Sequence, residues 1–236
     1  MKTLLLRLEG PMQSWGHTSR FSERDTGMEP TKSGVLGLIC AALGKPRDEQ
    51  PEHIGLYPSL SDLATLRMGV RIDSPGKMGV DFQTAGGGKL GKRPYGVAKA
   101  DGSSPETVMS WRYFLQDAVF LVGFESSNVE LLSNMQSALK WPVWPIYLGR
   151  KSYVPSGQPY LEDGLQDGRI EDVFASYPPL VEGAFKEGRL RVILDDPNGR
   201  ERRVDVPLDY ARRLFGLRHV TIAFLTLDLS TEQGVI

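Results

Sequence analysis

Basic, hydroxyl and aromatic side chains recur together at three places in this sequence, and these are the residues best suited to bind a phosphate-rich ligand. They are Trp15 in the first loop, the segment Trp111-Arg112-Tyr113, and Tyr147 with the following Arg150-Lys151-Ser152. Guanidinium, ammonium and hydroxyl groups bind phosphates, and tyrosine or tryptophan rings stack on bases. Each group alone also fits a buried aromatic core. Together with a basic insert described below, they favour single-stranded nucleic acid as the ligand.

A second candidate site is the segment Thr31-Lys32-Ser33, where a helix is expected to begin. It resembles the end of a phosphate-binding P-loop, but a P-loop requires glycine directly before the Lys-Ser pair, and here that residue is threonine. Nucleotide hydrolysis is therefore disfavoured. The free amides and the dipole at a helix start attract anions, so Lys32 between two hydroxyl groups predicts an anion site. A capped helix without any ligand is the alternative.

Residues 74–108 form a glycine-rich insert without apolar periodicity, which is typical of a functional or disordered segment. Five basic residues and a single acidic one, Asp81, lie between residues 77 and 99, and the aromatic Tyr95 lies among them. A protruding basic loop is therefore expected. The stretch 162–172 is acidic and has no assigned role. Two solvated loops of opposite charge are the alternative interpretation.

Catalytic and metal-binding chemistry has little support in the residue types. The three histidines are scattered without a partner at ligand spacing, and a single cysteine, Cys40, disfavours a structural zinc site. No metal or cofactor is expected. Metal-free RNA cleavage needs a general base, for which His17 in the first loop is the only plausible histidine. A solvated loop histidine is the more common case.

The elements that must hold these residues follow the order strand, helix, strand, long insert, strand, helix, strand. This order predicts an α+β fold of the ferredoxin-like or RNA-recognition type, with the central hairpin expanded into the insert. Strands are expected at residues 3–8, 68–72, 118–122, 190–194 and 220–229, and helices at residues 31–43, 60–66 and 128–139.

Composition limits the class of protein. The 236 residues carry a net charge of −1, with 40% hydrophobic residues, 26 glycines and 16 prolines, which excludes a coiled coil, a collagen-like chain or full disorder. The apolar run at the amino terminus is interrupted at Arg7 and Glu9, so it does not predict a secretory signal. With a lone cysteine and no apolar stretch that could span a bilayer, a cytoplasmic protein without membrane contact is expected.

Four segments carry a resemblance to a known family. They are Leu6–Gly16, Glu29–Leu38, Thr107–Val122 with its Trp-Arg-x-x-Leu-x-Asp-Ala core, and Tyr147–Ser152. In this order they resemble the fifth family of CRISPR-associated proteins, of the RAMP superfamily, in its type I-E branch. The resemblance covers most of residues 1–155. It implies a ferredoxin-like body over 1–155, a thumb at 74–108, and an irregular β-rich extension over 156–236 that completes the body.

The resemblance also implies a function. The chain would be a non-catalytic RNA-binding subunit of a type I-E Cascade surveillance complex in antiviral defence. It would hold the 5′ handle of the crRNA and cap the backbone filament. Its partners would be the repeated CasC-type backbone subunit, the CasA-type large subunit and, through the complex, target DNA.

The resemblance further assigns individual residues to the RNA. Handle phosphates would be held by Thr31, Lys32, Ser33, Arg150 and Lys151, and Trp15 and Arg112 would line the same surface. Thumb residues Lys89, Lys92, Arg93 and Tyr95 would press between the handle and the first guide nucleotides.

A related type I-C branch cuts precursor RNA, so a metal-independent endoribonuclease that processes CRISPR repeats is the alternative function. Gln83 stands where that branch often has histidine, and glutamine cannot act as an acid or base. This position favours the binding subunit, while His17 keeps the nuclease open.

Overall fold

The computed structural model describes residues 1–16, 22–53, 55–87, 89–90, 93–99, 101–103, 105–182 and 189–226. The architecture is a mixed α/β fold built mainly from antiparallel sheets, with few helices. The strands are β1 (Lys2–Glu9), β2 (Met12–Gln13), β3 (Glu23–Arg24), β4 (Arg67–Ser74), β5 (Lys77–Ala85), β6 (Lys89–Leu90), β7 (Arg93–Pro94), β8 (Val108–Gln116), β9 (Val119–Ser126), β10 (Tyr160–Asp167), β11 (Leu190–Asp195), β12 (Glu201–Asp209) and β13 (Leu214–Leu225). The helices are α1 (Lys32–Leu43), α2 (Leu60–Thr65), α3 (Val129–Lys140) and α4 (Ile170–Ser176).

The main sheet has seven strands in the order β10-β1-β9-β4-β11-β13-β12, and every neighbouring pair is antiparallel. Its central strands are covered on both faces. On β1, Leu4, Leu6 and Leu8 belong to the core that also contains α1 and α3, whereas Leu5 belongs to the smaller core that contains α4. Alternate residues of a strand point to opposite faces, so the continuous leucine run of β1 suits a strand that is buried on both sides.

Helix α1 begins and ends where its sequence predicts. Thr31 is the N-cap, and its side-chain oxygen accepts a hydrogen bond from the amide of Gly34. Gly44 ends the helix in the left-handed conformation, with φ of 70°. Helix α3 is capped in the same manner by Asn128. The expected helices at 31–43, 60–66 and 128–139 are therefore confirmed, within a residue or so at their ends.

The insert is more ordered than its sequence suggests. β5 pairs with β8 along its whole length, from Lys77 opposite Gln116 to Ala85 opposite Val108, and this pair of strands is called the arm. The short strands β2 and β3 also pair with β8, so the four strands form a second sheet. A second, short hairpin of β6 and β7 lies within the insert. The expectation of an irregular loop is wrong for Lys77–Ala85. An arm needs no apolar face against the core, because its backbone hydrogen bonds to β8 supply the order.

The strands after residue 156 join the main sheet. β10 pairs with β1 on one side, and β11, β13 and β12 extend the sheet beyond β4. The strands expected at 190–194 and 220–229 correspond to β11 and to β13, the latter starting six residues earlier than expected. The acidic stretch 162–172 forms most of β10 and the start of α4, where Glu171 pairs with Arg67 of β4. Among the described residues, no helix is long and apolar enough to cross a membrane.

Candidate nucleic-acid interface

An open cleft of about 540 Å³ runs along the outer side of α1. Its floor is the helix, one wall is the loop from Trp144 to Lys151, and Tyr210 lies at the end nearest the start of the helix. Four basic residues are among those that line it: Lys45, Arg47, Arg150 and Lys151. The cleft therefore combines positive charge with aromatic rings, which is the combination that single-stranded nucleic acid requires.

Small residues of the helix form much of the floor of the cleft, beside Leu38 and Cys40. Gly34, Gly37 and Ala41 recur at helical spacing along the lining. At Gly34 even a methyl group would not fit, since its Cβ would lie 2.9 Å from both Thr31 Oγ1 and a ring carbon of Trp15. Trp15 lies beneath the helix with 1% of its surface exposed, and its indole nitrogen donates to Gln13 Oε1 at 3.1 Å. This burial corrects the expectation that Trp15 offers its ring to RNA: the ring supports the floor from below.

The start of α1 is not a free anion site. The amide of Lys32 donates to Asp205 Oδ2 at 2.8 Å, and that of Gly34 donates to the buried Thr31. The ammonium group of Lys32 is buried, donating to the carbonyl of Leu66 at 2.7 Å and to Asp195 Oδ2 at 2.9 Å. A carboxylate of the protein itself thus occupies the place predicted for a phosphate. The expected phosphate contacts of Thr31 and Lys32 are corrected accordingly, and only Ser33 of this segment lines the cleft.

Lys32 belongs to a buried cluster of two positive and two negative side chains, completed by Asp195, Asp205 and Arg218. Arg218 binds Asp205 through Nε and Nη2 and Asp195 through Nη1. Burial lowers the pKa of the Arg218 guanidinium, but the hydrogen bonds and charges of both carboxylates outweigh it and raise the pKa above its usual value. The cluster joins the N-terminus of α1 to β11, β12 and β13.

The basic wall is formed by the segment Tyr147–Ser152. Arg150 is half-buried and fixed, because it donates to the hydroxyl of Tyr153 at 2.9 Å and to the carbonyl of Arg24 at 3.2 Å. Its guanidinium also lies 5.3 Å from the centre of the Tyr153 ring. Lys151 and Ser152 are exposed, and Tyr147 is half-buried in the cleft lining. Tyr147, Arg150 and Lys151 are therefore brought together in the lining of the cleft. Ser152, the fourth predicted residue of this segment, is not part of the lining.

Gly149 allows this loop to approach the body of the protein. Its φ is 92°, and a Cβ at this position would lie 1.8 Å from the carbonyl oxygen of Ser14. The adjoining Leu148 is buried, and its carbonyl accepts a hydrogen bond from the amide of Ser14. No side chain fits there, so the Leu-Gly pair of this segment fixes the wall against the loop after β1.

The remaining predicted residues that the structure describes lie on β8 or in the insert rather than in the cleft. Arg112 of β8 is half-buried, lies opposite Asp81, and donates to Ser110 Oγ at 3.1 Å. Tyr95 is exposed, and Lys89 and Arg93 lie in β6 and β7. Lys92 and His17 lie outside the described residues. The arm meets the cleft wall along the middle of β8, since Arg24 pairs with Arg112 and its carbonyl accepts a hydrogen bond from Arg150.

Basic and aromatic cleft residues that sequence reasoning missed are Lys45, Arg47, Trp144 and Tyr210. Tyr210 donates to the carbonyl of Ser33 at 2.6 Å, and burial raises the pKa of its hydroxyl above the usual range. No local signal connects Tyr210 with α1, since 177 residues separate the partners. Trp144 and Arg47 could have been noticed in the sequence, because an aromatic and a basic residue stand four positions after the ends of α3 and α1.

Two ionisable groups of the cleft, Cys40 and Tyr210, have raised pKa values. Burial raises the pKa of the Cys40 thiol to about 12, so this lining residue is a neutral thiol near pH 7. The lining residues include no histidine, aspartate or glutamate. In the part of the chain that the structure describes, no three histidine, cysteine or acidic side chains converge as metal ligands. The arrangement can bind an anion and stack a ring.

Comparison with known proteins gives one family. A family model for the CRISPR-associated protein Cas5 matches residues 3–221. The CRISPR system Cascade subunit CasD of Escherichia coli (strain K12) is 30% identical over 190 residues, covering 78% of this chain and 80% of that protein. A solved Cas protein is 41% identical with a TM-score of 0.73, covering 95% of both chains. A chain from a solved CRISPR RNA-guided surveillance complex is 28% identical with a TM-score of 0.71, covering 97% of this chain and 92% of that one.

Proposed function

This chain belongs to the Cas5 family of CRISPR-associated proteins, and from that premise we propose that it is a non-catalytic RNA-binding subunit of a Cascade-type surveillance complex. Family membership confirms the resemblance found in the four sequence segments. In the proposed role the subunit holds the 5′ handle of the crRNA and caps the filament of CasC-type backbone subunits. It adjoins a CasA-type large subunit and meets target DNA only through the complex.

The observation that carries the proposal is the basic cleft along α1. Exposed Arg47 and Lys151, together with the fixed Arg150, lie around a helix floor formed largely by small residues. A phosphodiester backbone can lie against such a floor, with the cations neutralising its charge. Arg112 of β8 lies opposite Arg24, whose carbonyl accepts from Arg150, so the arm adds a further basic residue next to the cleft wall.

Binding without cleavage is favoured by the chemistry of the same cleft. General acid–base catalysis of RNA cleavage needs groups that exchange protons near neutral pH. The hydroxyl of Tyr210 and the thiol of Cys40 both have raised pKa values and stay protonated there. These two lining groups therefore do not supply a base that could remove a proton from the RNA backbone.

The proposed ferredoxin-like body also has support in the sheet. The chain order β1, α1, β4, β9, α3, β10 and the spatial order β10-β1-β9-β4 match a βαββαβ unit, and α1 and α3 pack on one face. The two-stranded arm lies between β4 and β9, where the thumb at 74–108 is proposed. β10 lies beyond residue 155, so the part 156–236 completes the body.

The test compares Lys151→Ala with Arg169→Ala as the matched control. Both residues are exposed cations, but Arg169 lies at the start of α4, on the opposite face of the sheet. The probe is a fluorescein-labelled single-stranded RNA from the cognate CRISPR repeat, and binding is measured by anisotropy over a range of salt concentrations. Lys151→Ala is expected to weaken binding and to reduce the slope of log K against log salt by about 0.7, the value for one phosphate contact on a single strand.

Equal binding by both variants and the wild type would overturn the placement of RNA in the cleft. The same RNA is then incubated with the wild-type protein in chelator and analysed on a denaturing gel. Intact RNA is expected, and it should co-purify with the chain and its neighbouring subunits. Defined cleavage would instead establish the metal-independent endoribonuclease and make His17 the first residue to substitute.

A further inference from the structure

The turn after α3 carries two exposed tryptophans that differ in position. Trp144 lines the cleft, with 44% of its surface exposed, whereas Trp141 is 77% exposed and is not part of the lining. The turn is fixed to the end of α1, because the amides of Val143 and Trp144 donate to the carbonyls of Ala42 and Ala41. The backbone of the turn is thus fixed at one end of the cleft, and it places a large, partly exposed aromatic ring there.

Tyr210 closes the other end of the same cleft. Its hydroxyl is bound to the carbonyl of Ser33, and its ring lies over Gly37, whose Cβ would lie 3.5–3.9 Å from the ring and hydroxyl atoms. Four residues of helix separate Gly37, beneath the Tyr210 ring, from Ala41, which is about 6 Å at the helical rise. Between the two aromatic residues the floor of the cleft is therefore about one helical turn long.

The charges around Trp144 indicate what it would contact. The described residues that line the cleft with it include Arg47, Arg150 and Lys151 and no acidic side chain. A hydrophobic protein partner would have to bury these cations without counter-charges, which is costly. A nucleotide strand supplies a planar apolar base for the indole ring and a phosphate for each cation.

We propose that Trp144 is a base-stacking residue of the RNA cleft. One nucleobase of the bound strand stacks on its indole ring while Arg47 and Lys151 contact the adjoining phosphates. The inference rests on the proposed function and adds to it a subsite that contacts a base. Because every base has a π-face, this subsite fixes the position of the strand without reading its sequence.

The test uses the full-length protein and the fluorescein-labelled single-stranded repeat RNA. Trp144→Ala is expected to weaken binding by about 5- to 150-fold, the range for loss of one base–aromatic stack, and Trp144→Phe is expected to restore most of the affinity. The salt slope should stay that of the wild type, since no phosphate contact is lost. Trp141→Ala is the matched control on the same turn and should bind as the wild type does. Thermal unfolding confirms that each variant is folded.

A second arm identifies the stacked base. RNAs that lack the base at one position each are bound to the wild type and to Trp144→Ala. At the stacked position the abasic RNA is expected to bind both proteins equally, because ring and base contribute only as a pair.

Each other outcome overturns the inference. If Trp144→Ala binds RNA as Trp141→Ala does, the ring does not stack on RNA, and the proposed function stands alone. Reduced assembly with other subunits at unchanged RNA affinity would assign the ring to a protein interface. A reduced salt slope for Trp144→Ala would mean that phosphate contacts, rather than a stack, were lost. If the wild-type chain binds no RNA, the proposed function and this inference both fail.

Discussion

Replacing Lys32 by methionine should destabilise the fold and leave RNA affinity unchanged. Methionine keeps the length and the apolar stem of the side chain, but it removes the ammonium group that binds the carbonyl of Leu66 and the carboxylate of Asp195. Removing one partner of a buried ion pair costs about 3–5 kcal/mol. In the variant Asp195 still accepts hydrogen bonds from the guanidinium of Arg218 and the amide of Met68. We therefore expect the free energy of unfolding to fall by an amount near the lower end of this range, about 3 kcal/mol.

This loss is large enough to measure in two ways. In a chain of this length each kcal/mol corresponds to about 2–4 °C, so the midpoint of thermal unfolding should fall by about 6–12 °C. In urea the midpoint should fall while the m-value is unchanged, because the surface exposed on unfolding is nearly the same. Lys151→Met is the matched control, since the same substitution at an exposed cleft residue should weaken RNA binding and leave the unfolding midpoint in place.

The opposite pattern would refute the reasoning. If Lys32→Met unfolds at the wild-type temperature and binds RNA with lower affinity and a reduced salt slope, the ammonium group of Lys32 contacts phosphate. The helix start would then be the anion site predicted from the sequence, and the buried arrangement with Asp195 would be wrong.

Two further predictions concern the loop of the basic wall and the acidic stretch. Gly149→Ala should lower the free energy of unfolding by about 3 kcal/mol in urea, because of its positive φ and the approach of Ser14, whereas Gly157→Ala, with open space around it, should not. Hydrogen bonding to Arg67 lowers the pKa of Glu171 below its usual 4.5. Its contribution to stability is therefore present above about pH 4.5 and lost as the pH falls through the folded pKa, so Glu171→Gln should cost at most about 1 kcal/mol at pH 7 and progressively less in acid.

The helices of this fold could be predicted because their signals are local. Thr31 and Asn128 cap α1 and α3, and Gly44 ends α1, all within a few residues of the amides and carbonyls that they satisfy. The strands of the main sheet were predictable for the same reason where they are buried on both faces, as β1 and β9 are. Such strands appear in the sequence as continuous apolar runs.

The sequence of the arm strand β5 has no such continuous apolar run. In β5, Val80 and Phe82 alternate with less exposed residues but remain half-exposed, so the apolar residues do not indicate a buried face. Phe82 packs instead against Trp111 of β8, with ring centres 5.3 Å apart. This contact depends on pairing across 29 residues of chain, and glycines within that span made the insert look irregular. Cross-strand pairs of this kind cannot be recognised from the sequence until the partner strand is known.

The binding site could be predicted only where its residues lie in one segment. Arg150 and Lys151 follow each other in the chain, so their charges point to one surface whatever the fold. The state of Lys32 depends on Asp195 and Asp205, which are 163 and 173 residues away. A lysine at a helix start has the same sequence signature whether a phosphate or a distant carboxylate neutralises it, because both satisfy the same amides and the same charge. Only the packing of β11 to β13 against α1 decides between them, and here it buries the lysine and leaves the cleft to the residues after α3.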